Sequence, residues 1–306
     1  MVIAIRFQTL PMDETLRSLL PYGTSEHPFE YFYVELNASQ MPTLVELHWH
    51  RELELAWVIS GTVQCTLGAE QFDLHVGEGL FLNSGTFHQF EPDGHVKMVC
   101  FDFAPEFIAS KTSVIFEKSV LPVLAAACPY IVFRGGQTPV APEVPLMQQA
   151  YACATSDDVR KELQIRNLIG KVWEEIVAQT QQIQRRSGRA EQRKEKLLQA
   201  RLHKMTAYIS EHYGERISLR DIAKAASISH SEALRCFRVG LHTTPVRYLN
   251  EYRLRRARER LASTTDTVSR ISETVGFESA GYFCRVFKQQ YGVSPNAFRK
   301  QEEAAG

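Results

Sequence analysis

Residues 222 to 298 contain the same pattern twice. Ser229, Arg235, Phe237, Thr244, Pro245 and Tyr248 are matched fifty positions later by Ser279, Arg285, Phe287, Ser294, Pro295 and Phe298. In each copy an apolar helix passes through a short turn, with a Ser at the N-cap position, into a second helix whose apolar residues fall three or four apart. Two short helices joined by a tight turn form a helix-turn-helix, and its second helix is of a size to enter a DNA major groove. An ordinary helical bundle shares the periodicity, but it needs neither the repeat nor the charge that accompanies it.

That charge is hidden in a net balance of zero. Residues 1–184 carry 11 Lys and Arg against 22 Asp and Glu, net −11, whereas residues 185–300 carry 24 against 11, net +13; Glu302 and Glu303 close the balance. The basic helical half suits a polyanion, from which the acidic half would be repelled. A chain of 306 residues is long enough for two domains with separate cores. Cys65, Cys100, Cys128, Cys153, Cys236 and Cys284 show no close pairing, which suits reduced thiols in a cytoplasm rather than a disulfide framework or a zinc finger. The opening MVIAIRFQTLPMDE lacks the apolar run of a signal peptide and no segment approaches a membrane span, so a cytoplasmic protein with no membrane partner is expected.

The runs ISLRDIAKAASISHSEALRCFR, TPVRYLNEYRLRRARERLA and VSRISETVGFESAGYFCRVFKQQYGVSPNAFRK resemble the DNA-binding module of AraC/XylS-type transcription regulators. The resemblance covers about a third of the chain and rests most firmly on Gly276, Phe277, Phe287, Gly292, Ser294, Pro295, Phe298 and Arg299. It implies a DNA-binding domain at 197–306 with helix-turn-helix motifs at about 217–239 and 267–291. It also implies groove-facing positions at Ser231, Leu234 and Arg235 in the first recognition helix, and at Ala280, Gly281, Tyr282, Cys284 and Arg285 in the second. Arg238 and Arg255 are further DNA-binding candidates, Arg255 towards phosphate. The first copy departs from the family pattern at Ala233, where a larger apolar residue is common, and at Gly240, which falls early. The arginines at 253, 255, 256, 258 and 260 are expected to form a solvated face that approaches phosphate or pairs with Glu251 and Glu259.

Residues 29–103 read as short strands, FEYFYVEL, LVELHWH, LELAWVIS, VQCTLGA, QFDLHV, GLFLNS, HQFEP and VKMVCFDF, broken by Gly, Asn, Asp and Pro; this predicts a small antiparallel barrel or jelly roll. His48, His50, Glu54 and Gly61, followed by Gly77, Gly85 and His88, resemble the two motifs of the cupin fold, with Pro42 in place of the first motif's opening glycine and Asn83 in place of the second's proline. The two-residue period of a strand puts His48, His50 and Glu54 on one face, with His88 opposite if a second strand supplies it. Three imidazoles and a carboxylate suit Zn, Fe, Mn or Ni, so His48, His50, Glu54 and His88 are the candidate ligands of a divalent transition metal; no cofactor is certain from the sequence. The resemblance to sensory cupin domains of such regulators implies an alternative in which these histidines line a pocket or hydrogen-bond the barrel mouth without metal. His48, His50, Glu54, Trp57 and His88 are therefore the candidate effector-binding residues. Trp57, Tyr31, Tyr33, Phe81 and Phe87 are expected mainly as core, around a barrel able to hold one compact molecule that some of them could touch.

Helices follow at about 145–183, the second with an apolar stripe of Ile165, Leu168, Ile169, Val172, Trp173, Ile176 and Val177. The stripe either packs on its own barrel or pairs with the same helix of a second subunit. The polar run at 184–196 is expected as a linker. The expected architecture is thus two domains: an antiparallel β-barrel of cupin or jelly-roll type at 1–183, for effector binding and dimerisation, and an all-α module with two helix-turn-helix motifs. The expected function is sequence-specific transcription regulation, controlled by a small-molecule effector in the barrel, by a homodimer bound to double-stranded promoter DNA. The alternatives are a metal-dependent cupin oxygenase or isomerase with a helical appendage, and a constitutive DNA-binding protein whose barrel only dimerises. The repeat and its charge favour the regulator over an enzyme.

Overall fold

The computed structural model describes residues 2–5, 17, 18, 20, 22, 27–37, 45–68, 70–135, 140–186 and 188–305, so Pro42 lies outside the described residues. The chain divides into two compact units, Met1–Gln199 and Ala200–Gly306. The first unit contains β1 (Val2–Ile5), β2 (Phe29–Asn37), β3 (Val45–His48), β4 (Leu53–Leu67), β5 (Glu70–His75), β6 (Gly79–Leu82), β7 (His88–Phe103), a short α1 (Leu121–Leu124), β8 (Tyr130–Phe133), α2 (Glu143–Ala154) and α3 (Lys161–Arg186). Among the described residues the strands form one sheet in the order β1-β2-β7-β4-β6-β8, with β3 added against β7 and β5 against β4. All pairings are antiparallel except β1 with β2.

β4 and β7 run for 15 and 16 residues where the turn residues suggested two short strands each. Gly61 explains the difference. Its φ is +82°, the register shifts between Val58 and Thr62, and an added Cβ would collide with the His95 carbonyl oxygen. Glycine here bends a continuous strand through a bulge instead of ending it.

Strand alternation sorts the buried side chains into two cores. Leu53, Leu55, Trp57, Val99, Phe101 and Phe103 face α2 and α3, whereas Ala56, Val58, Cys65, Met98 and Cys100 belong to the opposite face, which forms the barrel interior. The stripe of α3 is spent on the first of these cores: Ile165, Ile169, Val172, Trp173 and Ile176 are buried in it, and the Trp173 ring lies 6.0 Å from Phe81 and 6.3 Å from Phe103. Burying each such side chain contributes about 1.5–3 kcal/mol. The α3 face that carries this stripe is therefore occupied within its own unit.

The expected linker at 184–196 is mostly helical, because α3 reaches Arg186 and α4 (Arg189–His212) begins three residues later. A missing apolar stripe showed that this segment packs against little, but Arg, Glu, Gln, Lys and Ala are all good helix formers. Gln199 also donates to Glu195 one turn earlier, at 3.0 Å.

Beyond α4 lie α5 (Leu219–Ala225), α6 (His230–Leu241), α7 (Pro245–Ser263), α8 (Val268–Thr274), α9 (Ala280–Tyr291) and α10 (Pro295–Ala305). The repeat reappears in the caps. Ser229 accepts from the Glu232 amide as Ser279 does from the Tyr282 amide, and Thr244 accepts from Arg247 as Ser294 does from Ala297. The second helix of each copy, α6 and α9, ends on a left-handed residue, His242 in the first copy and Gly292 in the second, so Gly240 lies buried inside α6 and ends nothing. The turns differ by one residue: Ser227 takes the left-handed position two residues before its N-cap, and Gly276 takes it three before.

Candidate functional site

The barrel interior holds a polar cluster. β3 delivers His48 opposite His88 at the start of β7, and β4 carries Glu54 in register with Asp102 at the far end of the same β7. His48, His50, Glu54, His88 and Asp102 are each at most 4 % exposed. The His48 and His88 rings are 4.0 Å apart, and His50 lies 5.0 Å from His88. Tyr22 covers His50, ring centre to ring centre at 4.9 Å.

The hydrogen bonds fix where the protons sit. His50 Nδ1 is 3.1 Å from the Glu52 carbonyl and His88 Nδ1 is 2.9 Å from the Thr86 carbonyl. A carbonyl oxygen only accepts, so both Nδ1 atoms carry hydrogen and a neutral ring presents a lone pair at Nε2. Both Nε2 atoms face the same oxygen, Glu54 Oε2, at 3.2 and 3.3 Å. Acceptors directed at a carboxylate repel it, so an ionised Glu54 here requires a positive charge between them, either second protons on the imidazoles or a cation. Burial pushes the Glu54 carboxyl up, and hydrogen bonds from His50 and His88 more than reverse this, holding it well below the usual range. The nitrogen donors of His48, His50 and His88 lie within 4.8 Å of one another, as do the donor atoms of His50, Glu54 and Asp102. These residues fit a divalent transition metal.

Asp102 went unread in the sequence. Its Oδ1 makes no hydrogen bond and lies 3.7 Å from His50 Nε2; burial, followed by the charges of Glu54 and Glu52, pushes its carboxyl well above the usual range. The available signal was parity, since Asp102 shares the inward face of β7 with Met98 and Cys100. Trp57 requires the opposite correction. Three residues from Glu54 along β4, it projects from the other face, packs near Tyr151 of α2 with ring centres 6.1 Å apart, and does not join the cluster. Asn83 at the substituted cupin position donates its amide to the carbonyls of Val123 and Cys128, a tie that proline cannot make.

In the helical unit the recognition helices bury one side each. Ala233, Cys236 and Phe237 point inward from α6, and Phe283 and Phe287 from α9. Ser231, Arg235 and Arg238 are exposed on α6 with Leu234 half-buried; Gly281, Tyr282 and Arg285 are exposed on α9 with Ala280 and Cys284 half-buried. Each helix thus presents its candidate positions away from its core. Arg235 is ion-paired to Glu232, Nε to Oε2 at 2.8 Å and Nη2 to Oε1 at 2.7 Å. Arg285 instead lies over the Tyr282 ring at 5.2 Å.

The arginine run of α7 does not form one solvated face. Arg253 is buried and donates to the carbonyls of Tyr213 and Glu215, both at 2.8 Å. Arg255 is half-buried over Tyr252, with an Nη2 that makes no hydrogen bond. Arg256 pairs with Glu259 at 2.8 Å.

Known proteins match both units. Residues 222–301 match a helix-turn-helix domain model and residues 30–103 a cupin domain model. The HTH-type transcriptional regulator YdeC of Bacillus subtilis is 27% identical over 292 residues, 94% of this chain and 97% of that protein. The HTH-type transcriptional activator RhaS of Escherichia fergusonii is 32% identical over 106 residues, 35% of this chain and 38% of that protein. Among solved structures, an AraC-type DNA-binding domain protein from Chromobacterium violaceum is 29% identical with a TM-score of 0.34, covering 35% of this chain and 96% of that one.

Proposed function

We propose that this chain, which is an AraC/XylS-type transcription regulator with an amino-terminal cupin domain, takes its control from a compact effector bound in the barrel at His48, His50, Glu54 and His88. The observation that carries this is the cluster itself. Burying three imidazoles and two carboxylates is seldom better for stability than apolar filling of the same volume, so a stability role alone accounts poorly for it. The protein contacts DNA through α6 and α9, so each subunit reads two short elements about one helical turn, or 10 to 10.5 base pairs, apart. It works in the cytoplasm as a homodimer. Among the described residues no helix is long and apolar enough to cross a membrane.

The facing acceptors around Glu54 favour a second reading of the same site, in which His48, His50, His88 and Glu54 hold a divalent transition metal that supplies an attachment point for an anionic or carbonyl-bearing effector. No reaction is proposed for it. Genome-wide mapping of binding sites with and without candidate sugars or aromatic acids tests the regulatory reading. Sites whose occupancy responds to one compound in the wild type and not in Glu54→Gln support it; an unaltered response in a Glu54 and His88 double variant overturns the pocket. Protein purified without chelator is expected to carry close to one metal per chain, and less than about a tenth of an equivalent rejects the metal.

A further inference from the structure

Glu232 and Tyr282 occupy the same place in the two copies, three residues before the matched arginines Arg235 and Arg285. The two positions treat those arginines differently. A guanidinium carries five N–H donors in a rigid planar fork. Glu232 takes the side of that fork, one hydrogen from Nε and one from Nη2, leaving the end of the fork, with one hydrogen from Nη1 and one from Nη2 side by side. That end pair matches guanine O6 and N7 in the major groove. Glu232 is itself fixed, because Arg201 of α4 donates to the same Oε1 that receives Arg235 Nη2. The ring-face contact of Tyr282 leaves Arg285 all its donors and freedom to swivel.

We propose that Glu232 is a specificity-determining positioning residue: anchored by Arg201, it aims Arg235 so that the first recognition helix reads guanine at one base position. The proposal rests on the reading that α6 lies in the major groove. The carboxylate also has a second effect. It sets a negative charge beside the groove, which weakens attachment to phosphate wherever Arg235 finds no guanine, so discrimination rises as non-specific affinity falls.

The test is selection from a double-stranded DNA library with a randomised core, using full-length wild type, Glu232→Gln, Arg235→Ala and the double variant. Binding to random-sequence DNA and thermal melting are measured alongside. Arg235→Ala is expected to abolish a guanine preference at one position. Glu232→Gln should reduce that same preference by about tenfold while random-sequence binding stays equal or tightens, and it should change nothing further when Arg235 is already Ala. Retention of the full guanine preference by Glu232→Gln overturns the proposal, as does an equal loss with and without Arg235. If Arg235→Ala alters no base position, placement of α6 in the groove fails as well, so the two failures are distinct. Should Glu232→Gln melt early, Arg201→Gln takes its place: it releases the carboxylate but keeps the ion pair, and should reduce the guanine preference by about two- to threefold with random-sequence binding unchanged. An unchanged preference in that variant also overturns the anchoring role.

Discussion

In the barrel, Glu54 meets His50 and His88 with all three side chains sealed from solvent; on α6, Glu232 meets Arg235 one turn along a single helix with the arginine exposed. Both arrangements set a carboxylate against cationic or potentially cationic groups, yet their surroundings reverse the consequences. Inside the barrel a missing partner strands a charge in a dry interior, where that loss is worth several kcal/mol. On the helix surface water replaces a missing partner, the fold scarcely notices, and the effect falls on what the freed arginine touches. Polar groups in the first unit thus trade in stability and occupancy, and those in the second trade in recognition.

The same contrast decides what the sequence made legible. Helical contacts are local, so the fifty-residue repeat and its Ser caps could be read from the sequence pattern, and the outward positions of α6 and α9 followed from the family resemblance. Sheet contacts are not local. His48, His50, Glu54 and His88 were recoverable because a cupin-like motif announces them, whereas Asp102 joins Glu54 from 48 residues away through the β4–β7 register, which no motif announces. Trp57 reads in the sequence both as core and as an effector candidate, and only the second reading fails, because nearness in sequence to Glu54 does not outweigh strand parity. The segment 184–196, expected as a linker, is mostly helical, which its missing apolar stripe did not reveal and its helix-forming residues do.

Removing the central carboxylate should break the comparison most sharply. Glu54→Ala in metal-free protein is expected to cost the barrel about 3–5 kcal/mol, seen as an earlier urea transition of the first unit, with the helical unit's transition in place. A shift below about 1 kcal/mol would mean that the cluster is wetter than its burial implies. Arg253 carries the same question into the helical unit, where burial lowers the guanidinium's pKa and two carbonyls accept its protons. Arg253→Ala should cost about 1–3 kcal/mol, because the carbonyls of half-buried Tyr213 and exposed Glu215 lose a buried charged donor, and the urea transition of the second unit reports it.

The pH dependence of the metal-free barrel sharpens the point, since its two acids have opposite signs. Glu54 has a folded pKa held below its unfolded value, so its contribution is present above about pH 4.3 and is lost as pH falls. Asp102 has a raised folded pKa, so its contribution is present below about pH 3.9 and is lost as pH rises through the folded value. Asp102→Asn removes the second loss alone. The variant should therefore gain on wild type between pH 5 and pH 8, measured as the difference in denaturation midpoints. A difference that stays constant across that range would contradict the assignment of Asp102 as the raised acid.

The smallest effect belongs to an arginine that sits between the two regimes. Arg255 is half-buried with its guanidinium over Tyr252, and its Nη2 makes no hydrogen bond within the protein. The buried Nη2 is out of a phosphate's reach, so under the proposed DNA contact it is the exposed remainder of the Arg255 guanidinium that would meet a phosphate oxygen, a contact that needs no knowledge of the base beside it. Arg255→Ala should therefore weaken binding to every sequence by a similar factor and flatten the salt dependence of binding by about one unit, as expected when a single phosphate is no longer neutralised by the protein. Arg285→Ala provides the contrast under the proposed placement of α9 in the groove: it should reduce specific binding by about 1–3 kcal/mol and relax one position of the neighbouring element. Titrations of specific and scrambled DNA at several salt concentrations separate the two. If Arg255→Ala changes base preference and leaves the slope alone, then Tyr252 holds that guanidinium against a base, and Arg255 belongs with the base-reading arginines of α6 and α9 instead of with the phosphate contacts.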